Sequence, residues 1–431
     1  MKLTSVRIGG FRNVDEAFLT VGEDITSLVS VNSYGKSNLM NAIDFAVDFI
    51  KGTSEKKRQM MSTAYGMPFN KKLGFKNFTV EFVFSDILFD KPVIVNYGFS
   101  YSWFKNNKET SVGRKIVKEW LTIKNNEKHQ KPVRLILREG DRKLYKSSET
   151  GRCSSVLKVE DDALIINKLL AKDDLYYKEI VEKLNDIKIY VERDFDASMF
   201  FHKSPLIPRV SDGIGLDGMV NVPRVAYKLK EEHPDKYELL IDSFMQLFPN
   251  ISKVDVKEVN LGKIHDLKIP DEVPYIISDK VYSMFVVDKN LNQPLNFEGM
   301  SDGAKRVFLI LTYTVLANIN NYHMIALEEP ENSIHPSLLQ SYLSVLTQLA
   351  GDCWILVASH SPYIMQYVNT KDIYIGKPNE YGIANFSKIA PKKINSLLND
   401  SYCSNESVGN YIFELLSGGE DDLDVLLSYL E

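Results

Sequence analysis

The sequence has few of the features that mark secreted or membrane-spanning proteins. Three cysteines in 431 residues form no metal-binding spacing and no disulfide framework. Residues 1–7 lack the apolar core of a signal peptide. The most apolar helix-like run, residues 307–319, is too short to cross a bilayer. We therefore expect a cytoplasmic protein with no membrane segment.

The sequence also lacks an excess of positive charge. Its 52 lysines and arginines face 57 aspartates and glutamates, so a net charge of −5 gives no overall attraction to nucleic acid. There is no repeat of fixed period and no long heptad pattern, so no extended coiled-coil arm is expected. The remaining composition, 44% hydrophobic and 25% charged, is that of an ordinary globular protein. The length predicts two lobes or a domain with a large insertion.

The most informative stretch is SVNSYGKS at residues 30–37. It matches the phosphate-binding pattern G-x-x-x-x-G-K-[ST], except that Ser30 stands at the first glycine. An apolar run at 25–31 precedes it, and residues 39–50 place apolar side chains on one helical face. Strand, glycine-bearing turn and helix is the order that aims backbone N–H groups at a phosphate.

In such a loop, Lys36 can neutralise terminal phosphate oxygens and the Ser37 hydroxyl can bind magnesium. Ser30 is compatible with the loop if its φ angle is negative. A positive φ would cost a serine roughly 1 kcal/mol or more.

The chain after the loop reads first as strands and then as helices. Residues 51–76 are polar and basic, and we expect a solvated surface segment there. An antiparallel meander is predicted from strand patterns at 78–84, 93–104, 117–123 and 133–137. Helical patterns follow at 163–170, 176–187 and 227–248, and strand patterns return at 252–268 and 281–288.

Two later strand patterns end in polar residues. The apolar run at 323–327 is followed by Glu328 and Glu329, whose side chains should point to opposite sides. One carboxylate can then hold a metal ion through water while the other polarises an attacking water. The apolar run at 354–357 is followed shortly by His360. Taken singly, exposed glutamates at a strand end and a satisfied core histidine are ordinary structural features.

The sequence SDGAKR at residues 301–306 opens another apolar-periodic helix. Ser301 can cap this helix, whose N-terminus is a second place able to bind phosphate. Alone, the motif is typical of a helix cap.

Together and in this order, these elements resemble the ATP-binding-cassette (ABC) type of ATPase, and within it the RecF, SMC and OLD-like group. The motifs of that group are F-R-N, a loop ending N-x-x-G-K-S-N, S-x-G, D-E-P-E-N-x-x-H-P and S-H-S-P. Phe11-Arg12-Asn13 matches the first motif, and Asn32 to Asn38 match the loop. Ser301 and Gly303 match S-x-G. The last two motifs are matched by Glu329-Pro330-Glu331-Asn332 with His335-Pro336 and by Ser359-His360-Ser361-Pro362. Glu328 stands where the family has aspartate. The resemblance covers about 1–50 and 295–365, while the middle matches only in pattern.

The resemblance implies a composite ATP site, formed by two copies of the chain, with ATP and Mg²⁺ as cofactors. One copy would bind ATP through Arg12, Asn32, Ser33, Tyr34, Gly35, Lys36, Ser37 and Asn38, and the second copy would contribute Ser301 and Gly303. Glu329 would be the general base, Glu328 and Ser37 would hold Mg²⁺, and His360 would sense the γ-phosphate. The departures at Ser30, Tyr34 and Glu328 indicate slow hydrolysis, or ATP used mainly to hold an assembly.

The implied fold is an α/β ABC-ATPase head with a mixed and parallel sheet, an antiparallel β lobe and a helical insertion. We expect a discontinuous head over residues 1–150 and 251–431 and an insertion over 151–250. The acidic stretch at 415–431 is expected to be a solvated tail.

Two functions remain open. The first is a cytosolic ATPase that forms a homodimer or higher homo-oligomer with ATP and recruits or restrains a separately encoded effector, a nuclease or toxin, as in bacterial antiphage defence. The alternative is a RecF-like repair ATPase that clamps duplex DNA. Its basic face would draw on Lys56, Lys57, Arg58, Lys71, Lys72, Arg114, Lys115 and Lys118.

A Toprim nuclease domain of the OLD type is not expected. About seventy residues follow His360, which is too few for that domain. The D-x-D letters at 422–424 lie in an acidic stretch without a strand pattern.

Overall fold

The computed structural model describes residues 1–31, 34–62, 67–74, 76–88, 90–104, 115–125, 130–193, 196–208, 216, 221–262, 270, 273, 275–332, 334–376 and 381–431. These residues form two compact units. The first comprises Met1–Val191 and Leu356–Glu431, and the second comprises Glu192–Ile355. Within the described ranges, no helix is both long and apolar enough to cross a membrane.

The first part of the first unit consists mostly of strands, with helices between some of them. In chain order its elements are β1 (Lys2–Phe11), β2 (Val14–Thr20), β3 (Ile25–Val29), α1 (Lys36–Lys51), α2 (Ser54–Met60), β4 (Phe78–Leu88), β5 (Lys91–Tyr101), β6 (Ile116–Asn125), β7 (Val133–Glu139), β8 (Arg142–Lys146), β9 (Cys153–Val156), α3 (Ile165–Leu169), α4 (Lys178–Asn185) and β10 (Ile189–Val191).

Eight of these strands form one antiparallel sheet in the order β2-β1-β4-β5-β6-β7-β8-β9. Alternate residues of β4, including Phe78, Val80 and Phe82, are buried on one face, as the period of two in a strand requires. The predicted antiparallel meander is therefore confirmed, and with it the predicted α/β class.

Helix α1 packs against the first-unit core through aromatic rings. Phe49 stacks on Phe99 and Tyr101 at centroid distances of 5.0 and 4.8 Å, and Tyr101 stacks on Phe78 at 5.1 Å. Stacked aromatic pairs add to the stabilisation that burial of their large apolar area supplies. The helix that begins at the phosphate-binding loop is thus fixed near its C-terminal end to the antiparallel sheet.

The basic segment after α1 differs from the solvated loop predicted there. Lys57 in α2 is only 3% exposed, and its ammonium donates to Ile50 O at 3.2 Å, Gly52 O at 2.6 Å and Asn167 Oδ1 at 2.7 Å. A cation at the C-terminal end of α1 complements the helix dipole. Burial lowers the pKa of Lys57 to about 8, a shift that Glu119 and Asp162 partly oppose.

Several residues of the proposed DNA-binding face are already paired or buried. Lys56 forms an ion pair with Asp48, Arg58 with Asp162, and Lys115 with Asp141. Arg114 lies outside the described residues. Lys71, Lys72 and Lys118 are exposed, so only part of the predicted basic set is engaged within the chain.

The second unit combines helices with small antiparallel sheets. Its elements are β11 (Leu206–Pro208), α5 (Val222–Glu232), α6 (Pro234–Leu247), β12 (Ile251–Asn260), β13 (Tyr275–Ile277), β14 (Lys280–Asp288), β15 (Leu295–Asn296), α7 (Asp302–Ile319), β16 (Met324–Glu328), α8 (Pro336–Ala350) and the start of β17 (Trp354–Ser359). Strands β12, β14 and β15 form one sheet, and β11 pairs with β13. The predicted strand at 281–288 is confirmed, whereas 263–269 lies outside the described residues.

The helical run predicted at 227–248 is two helices. Pro234 occupies the first turn of α6, where its missing N–H costs nothing, and it cannot continue α5. The core of this unit contains a cluster of phenylalanines in which Phe297 lies 4.8 Å from Phe201 and 4.9 Å from Phe308. Phe308 belongs to α7, which is buried along most of its length.

The first unit resumes at Leu356 and ends in helices. The elements are α9 (Pro362–Tyr367), β18 (Ile373–Gly376), β19 (Phe386–Lys388), α10 (Ile394–Cys403), α11 (Val408–Ser417) and α12 (Glu420–Tyr429). Strand β18 pairs with β3 in parallel and with β19 antiparallel.

The C-terminal stretch differs from the solvated tail predicted for 415–431. Asp422 in the first turn of α12 accepts from the Gly419 N–H at 3.0 Å, and a carboxylate there suits the positive end of the helix dipole. Leu426 and Tyr429 are buried. Because Asp422 and Asp424 lie in a helix, they do not form the strand-borne pair of a Toprim domain.

The division into units also differs from the predicted head and insertion. Residues 151–250 are not a separate unit, since the boundary at Val191 falls inside them. Helices α5 and α6 pack on β12, α7 and α8 and so belong to the second unit. Local periodicity identified these helices but not the elements against which they pack.

The environment of Lys57 leads to a pH prediction. Its folded pKa of about 8 lies below the ordinary 10.5, so between these values the folded chain binds fewer protons than the unfolded chain. The free energy of unfolding is measured with urea for the wild-type chain and for Lys57→Met. The wild-type value minus the variant value should rise by about 2 kcal/mol from pH 7 to 9.5. The neighbouring Lys56→Met, which removes an exposed ion pair, is the control. The wild-type value minus the value of this variant should not rise over the same pH range. A difference that is constant with pH would contradict the account.

Candidate functional site

The phosphate-binding loop, residues 30–37, joins β3 to α1 in the first unit. Gly35 precedes the first helical residue and has φ +117°, a conformation that favours glycine. A Cβ at Gly35 would lie 2.7 Å from Ala384 Cβ and 3.0 Å from the Asn13 side chain, so no side chain fits. The predicted residues Asn32 and Ser33 lie outside the described residues.

Lys36 is held inside the loop. Its side chain is buried, and the ammonium donates to Ser30 O at 3.0 Å and Ser30 Oγ at 3.4 Å. Ser37 follows on the exposed side of the first helical turn. This places a cation and a hydroxyl beside the N-terminal N–H groups of α1, which is the arrangement that a bound phosphate needs.

The serine in place of the first glycine is accommodated by the neighbouring strand. Ser30 is not among the described non-glycine residues with positive φ, so it carries no left-handed strain. A Cβ at Gly376, which ends β18, would lie 2.7 Å from Ser30 Cβ and 2.7 Å from Tyr34 Cδ1. The room for Ser30 is therefore provided by a glycine on the adjacent parallel strand.

A polar network holds the loop from the other side. Arg12 Nη1 donates to Asn38 Oδ1 at 2.9 Å, Asn38 Nδ2 donates to Asn13 Oδ1 at 2.7 Å, and Asn13 Nδ2 donates to Tyr34 O at 3.3 Å. The Tyr34 hydroxyl donates to Ile383 O at 2.9 Å, and burial raises the pKa of this phenol. Arg12 is thus tied to the first turn of α1, in a left-handed conformation with φ +51°.

His360 lies beside the start of the loop. It follows β17, is exposed, and lines a cavity of about 240 Å³ together with Val29, Ser30 and Val31. The structure therefore brings the predicted histidine to the phosphate-binding loop, and its exposure does not fit the alternative of a satisfied core histidine.

Helix α11 lines the same cavity through Phe413, Leu416 and Ser417. It packs closely on α9, since a Cβ at Gly409 would lie 2.0 Å from Pro362 O. The helical spacing of apolar residues in α11 predicts a helix, but it does not predict that this helix lies at the phosphate-binding loop.

In the second unit, Ser301 is the exposed N-cap of α7, and its Oγ accepts from Ala304 N at 3.3 Å. Lys305 Nζ donates to Asp302 Oδ1 and to Ser198 Oγ, each at 3.1 Å. The lysine hydrogen bond holds the pKa of Asp302 below its usual range. The predicted helix N-terminus therefore exists, with its serine facing solvent.

The two predicted carboxylates end β16. Glu328 is the last strand residue, and Glu329 has φ +46°. A left-handed non-glycine residue costs of order 1–3 kcal/mol and persists only where its surroundings impose it. Such strain is often found at functional positions.

Arg306 supplies contacts that fix this strand end. Its Nη2 donates to Glu328 O at 3.0 Å and to Glu329 O at 3.5 Å, and its Nη1 lies 3.4 Å from the Glu192 carboxylate. Both Arg306 and Glu192 are almost fully buried. Because Arg306 belongs to α7, it joins the helix capped by Ser301 to the end of the strand that precedes Glu329. The sequence pattern around this arginine predicts a helix cap and indicates no role for the arginine itself.

The oxygen donors suit magnesium. Mg²⁺ prefers oxygen ligands and keeps waters and phosphate oxygens in its coordination shell, so it needs only one or two from protein. Ser37 and Glu328 offer a hydroxyl and a carboxylate. No group of three or more histidine, cysteine or acidic side chains in the described ranges could hold a metal by itself. Each of these side chains, Ser37 in the first unit and Glu328 in the second, is therefore of the kind that binds a metal arriving with a nucleotide.

Comparison with known proteins adds a family and a fold. Residues 160–366 match the family described as "AAA domain, putative AbiEii toxin, Type IV TA system". No curated protein sequence matches the chain.

Among solved structures, an SMC head bound to the C-terminal winged-helix domain of ScpA is 13% identical, covers 92% of this chain and 100% of its own, and has a TM-score of 0.50. The SMC head domain from Thermotoga maritima is 11% identical over 90% and 100%, with a TM-score of 0.42. The recombination mediator RecF is 12% identical over 89% and 97%, with a TM-score of 0.40.

The first of these structures supports the fold, and the family match covers Ser301, Glu329 and His360. These findings agree with the order of the motifs and with the geometry of the loop. The chain therefore has the fold of an SMC-type ATPase head, and its residues 160–366 match an AAA-domain family model.

Proposed function

We propose that two copies of this chain bind ATP between them and that the resulting homodimer recruits or restrains a separate effector protein. The observation that carries the proposal is the exposed N-terminus of α7, where Ser301 faces solvent. A helix N-terminus binds anions, and the phosphate-binding loop of another copy would present one. ATP would then hold the two copies together.

The residues have distinct roles in this proposal. Lys36 and the N–H groups of α1 bind the ATP phosphates, and Arg12, through Asn38, lies at the same helix turn. Ser37 and Glu328 would hold Mg²⁺, which neutralises charge on the phosphate oxygens. Ser301 and Gly303 of the second copy complete the site.

Hydrolysis requires an oriented water. Glu329 accepts a proton from this water as it attacks the γ-phosphorus, and the phosphoryl group leaves ADP. His360, beside the loop, donates to a γ-phosphate oxygen and so distinguishes ATP from ADP. The additional methylene of Glu328, relative to aspartate, displaces its carboxylate, and this supports slow hydrolysis in which ATP serves mainly to hold the assembly.

The effector proposal rests on the family and on a related fold. The matched family is described as a putative toxin of a type IV toxin–antitoxin system, which fits a role in bacterial antiphage defence. An SMC head of similar fold binds a domain of a separate protein, ScpA. We propose a partner of the same general kind, a separately encoded nuclease or toxin, without assigning its identity. The alternative of a DNA clamp would have to rely on the exposed Lys71, Lys72 and Lys118, because Lys56, Lys57 and Lys115 are paired or buried.

The Glu329→Gln variant tests the composite site. Glutamine cannot accept the proton, but it leaves the phosphate contacts in place, so ATP should remain bound and the dimer should accumulate. Sedimentation velocity with ATP and Mg²⁺ should show a dimer for this variant and a monomer for the Lys36→Ala/Glu329→Gln control. A Glu329→Gln chain that binds ATP and stays monomeric would count against the shared site.

Arg306→Lys tests the positioning of Glu329. Lysine keeps the charge beside Glu192 but cannot reproduce the forked contacts with both carbonyl groups, so Glu329 should be less well oriented. We expect kcat to fall about tenfold or more while the dissociation constant for ATP is unchanged.

Glu192→Gln serves as the matched control, because it leaves the arginine–carbonyl bonds intact and should have a smaller effect on kcat. A lower melting temperature of Arg306→Lys with normal kcat would show that Arg306 is only structural.

A further inference from the structure

A second cavity lies at one end of the eight-stranded sheet, where β5, β6 and β7 meet. It has a volume of about 480 Å³ and shares no lining residue with the cavity at the phosphate-binding loop. Volumes of 300–1,000 Å³ are typical of small-molecule sites. Neither the ATPase motifs nor the proposed dimer involves this region.

The floor of the cavity is apolar. Val93 on β5, Ile123 on β6 and Leu135 on β7 line it and are buried. Ile123 pairs with Val133, which also lines the cavity. Because alternate residues of a strand share a face, these side chains form one continuous surface that can hold the apolar part of an organic ligand.

Lys146 is the distinctive residue of the lining. It is only 7% exposed, and its ammonium lies 5.4 Å from the centroid of the Tyr176 ring. A buried cation is costly unless an anion or several acceptors balance it, and a single aromatic face does so only in part.

The rim increases the positive charge. Lys91 and Lys131 are exposed and line the cavity, and Glu149 is the only carboxylate of the described lining. The lining therefore carries a net charge of +2 at neutral pH. Burial, with the nearby Glu149 carboxylate, raises the pKa of Tyr176 to about 12, so its hydroxyl remains a neutral hydrogen-bond donor.

We propose that this cavity binds a phosphomonoester of mononucleotide size. The phosphate, with a charge of about −1.5 to −2, would pair with Lys146 and the rim lysines. The organic part would cover the apolar floor formed by β5, β6 and β7. A phosphate is favoured over a carboxylate because its charge matches the net charge of the lining. The full chain would thus have a second anion site, independent of the ATP loop.

Isothermal titration calorimetry of the full chain tests this proposal. The Lys36→Ala variant serves as the background, because it removes binding at the phosphate-binding loop. The probes are AMP and inorganic phosphate, with adenosine and benzoate as the uncharged and carboxylate comparisons. We expect AMP to bind saturably, inorganic phosphate to compete with it, and adenosine and benzoate to bind at least tenfold more weakly.

Adding Lys146→Met should weaken AMP binding at least tenfold, because the charge-assisted bond is lost. Lys118→Met is the matched control, since Lys118 is exposed on β6 and lies outside the cavity. If Lys146→Met does not fold, the Lys91→Met/Lys131→Met variant replaces it, with the same expected loss.

Three results would overturn the proposal. The first is no AMP binding in the Lys36→Ala background at millimolar concentration. The second is AMP binding that neither Lys146→Met nor the rim variant changes. The third is benzoate or adenosine binding as tightly as AMP, which would exclude phosphate recognition. None of these results bears on the composite ATP site, which the Lys36→Ala background removes.

Discussion

The close packing of backbone at the start of α1 is the constraint on which nucleotide binding depends. Gly35 has a positive φ and no room for a side chain, and Lys36 crosses the loop to Ser30. The loop is held between β18 on one side and the network of Arg12 and Asn38 on the other. N–H groups fixed in this way need no reorganisation when a phosphate binds, which is the physical basis of binding at a helix N-terminus.

The proposed hydrolytic residues depend on a different constraint. Arg306 is buried, and its bonds to the carbonyl groups of Glu328 and Glu329 fix the end of β16. Because the same arginine belongs to the helix capped by Ser301, any displacement of that helix by a second copy would be transmitted to Glu329. In the proposed dimer, this coupling would give the second copy a direct route to Glu329, the proposed general base, within one compact unit.

Much of the fold and site could be predicted because the signals are local. Period-two strands marked the meander, and the loop carried its glycine and lysine in the correct context. The burial of Lys57, the room that Gly376 leaves for Ser30, and the contacts of Arg306 could not be predicted. Each depends on which distant segments pack together, and strand or helix periodicity does not encode this. The helical C-terminus was missed for the same reason, since its acidic residues concealed the buried Leu426 and Tyr429.

The central claim is that each ATP site combines two copies of the chain. The most direct test is the ATPase activity of a mixture of Lys36→Ala, which lacks a working loop, and Ser301→Arg, which lacks a working signature. Each variant alone should be inactive. In a mixed dimer, the loop of the Ser301→Arg chain meets the intact Ser301 of the Lys36→Ala chain, so an equal mixture should recover about a quarter of wild-type activity. A mixture no more active than its two components would contradict the account.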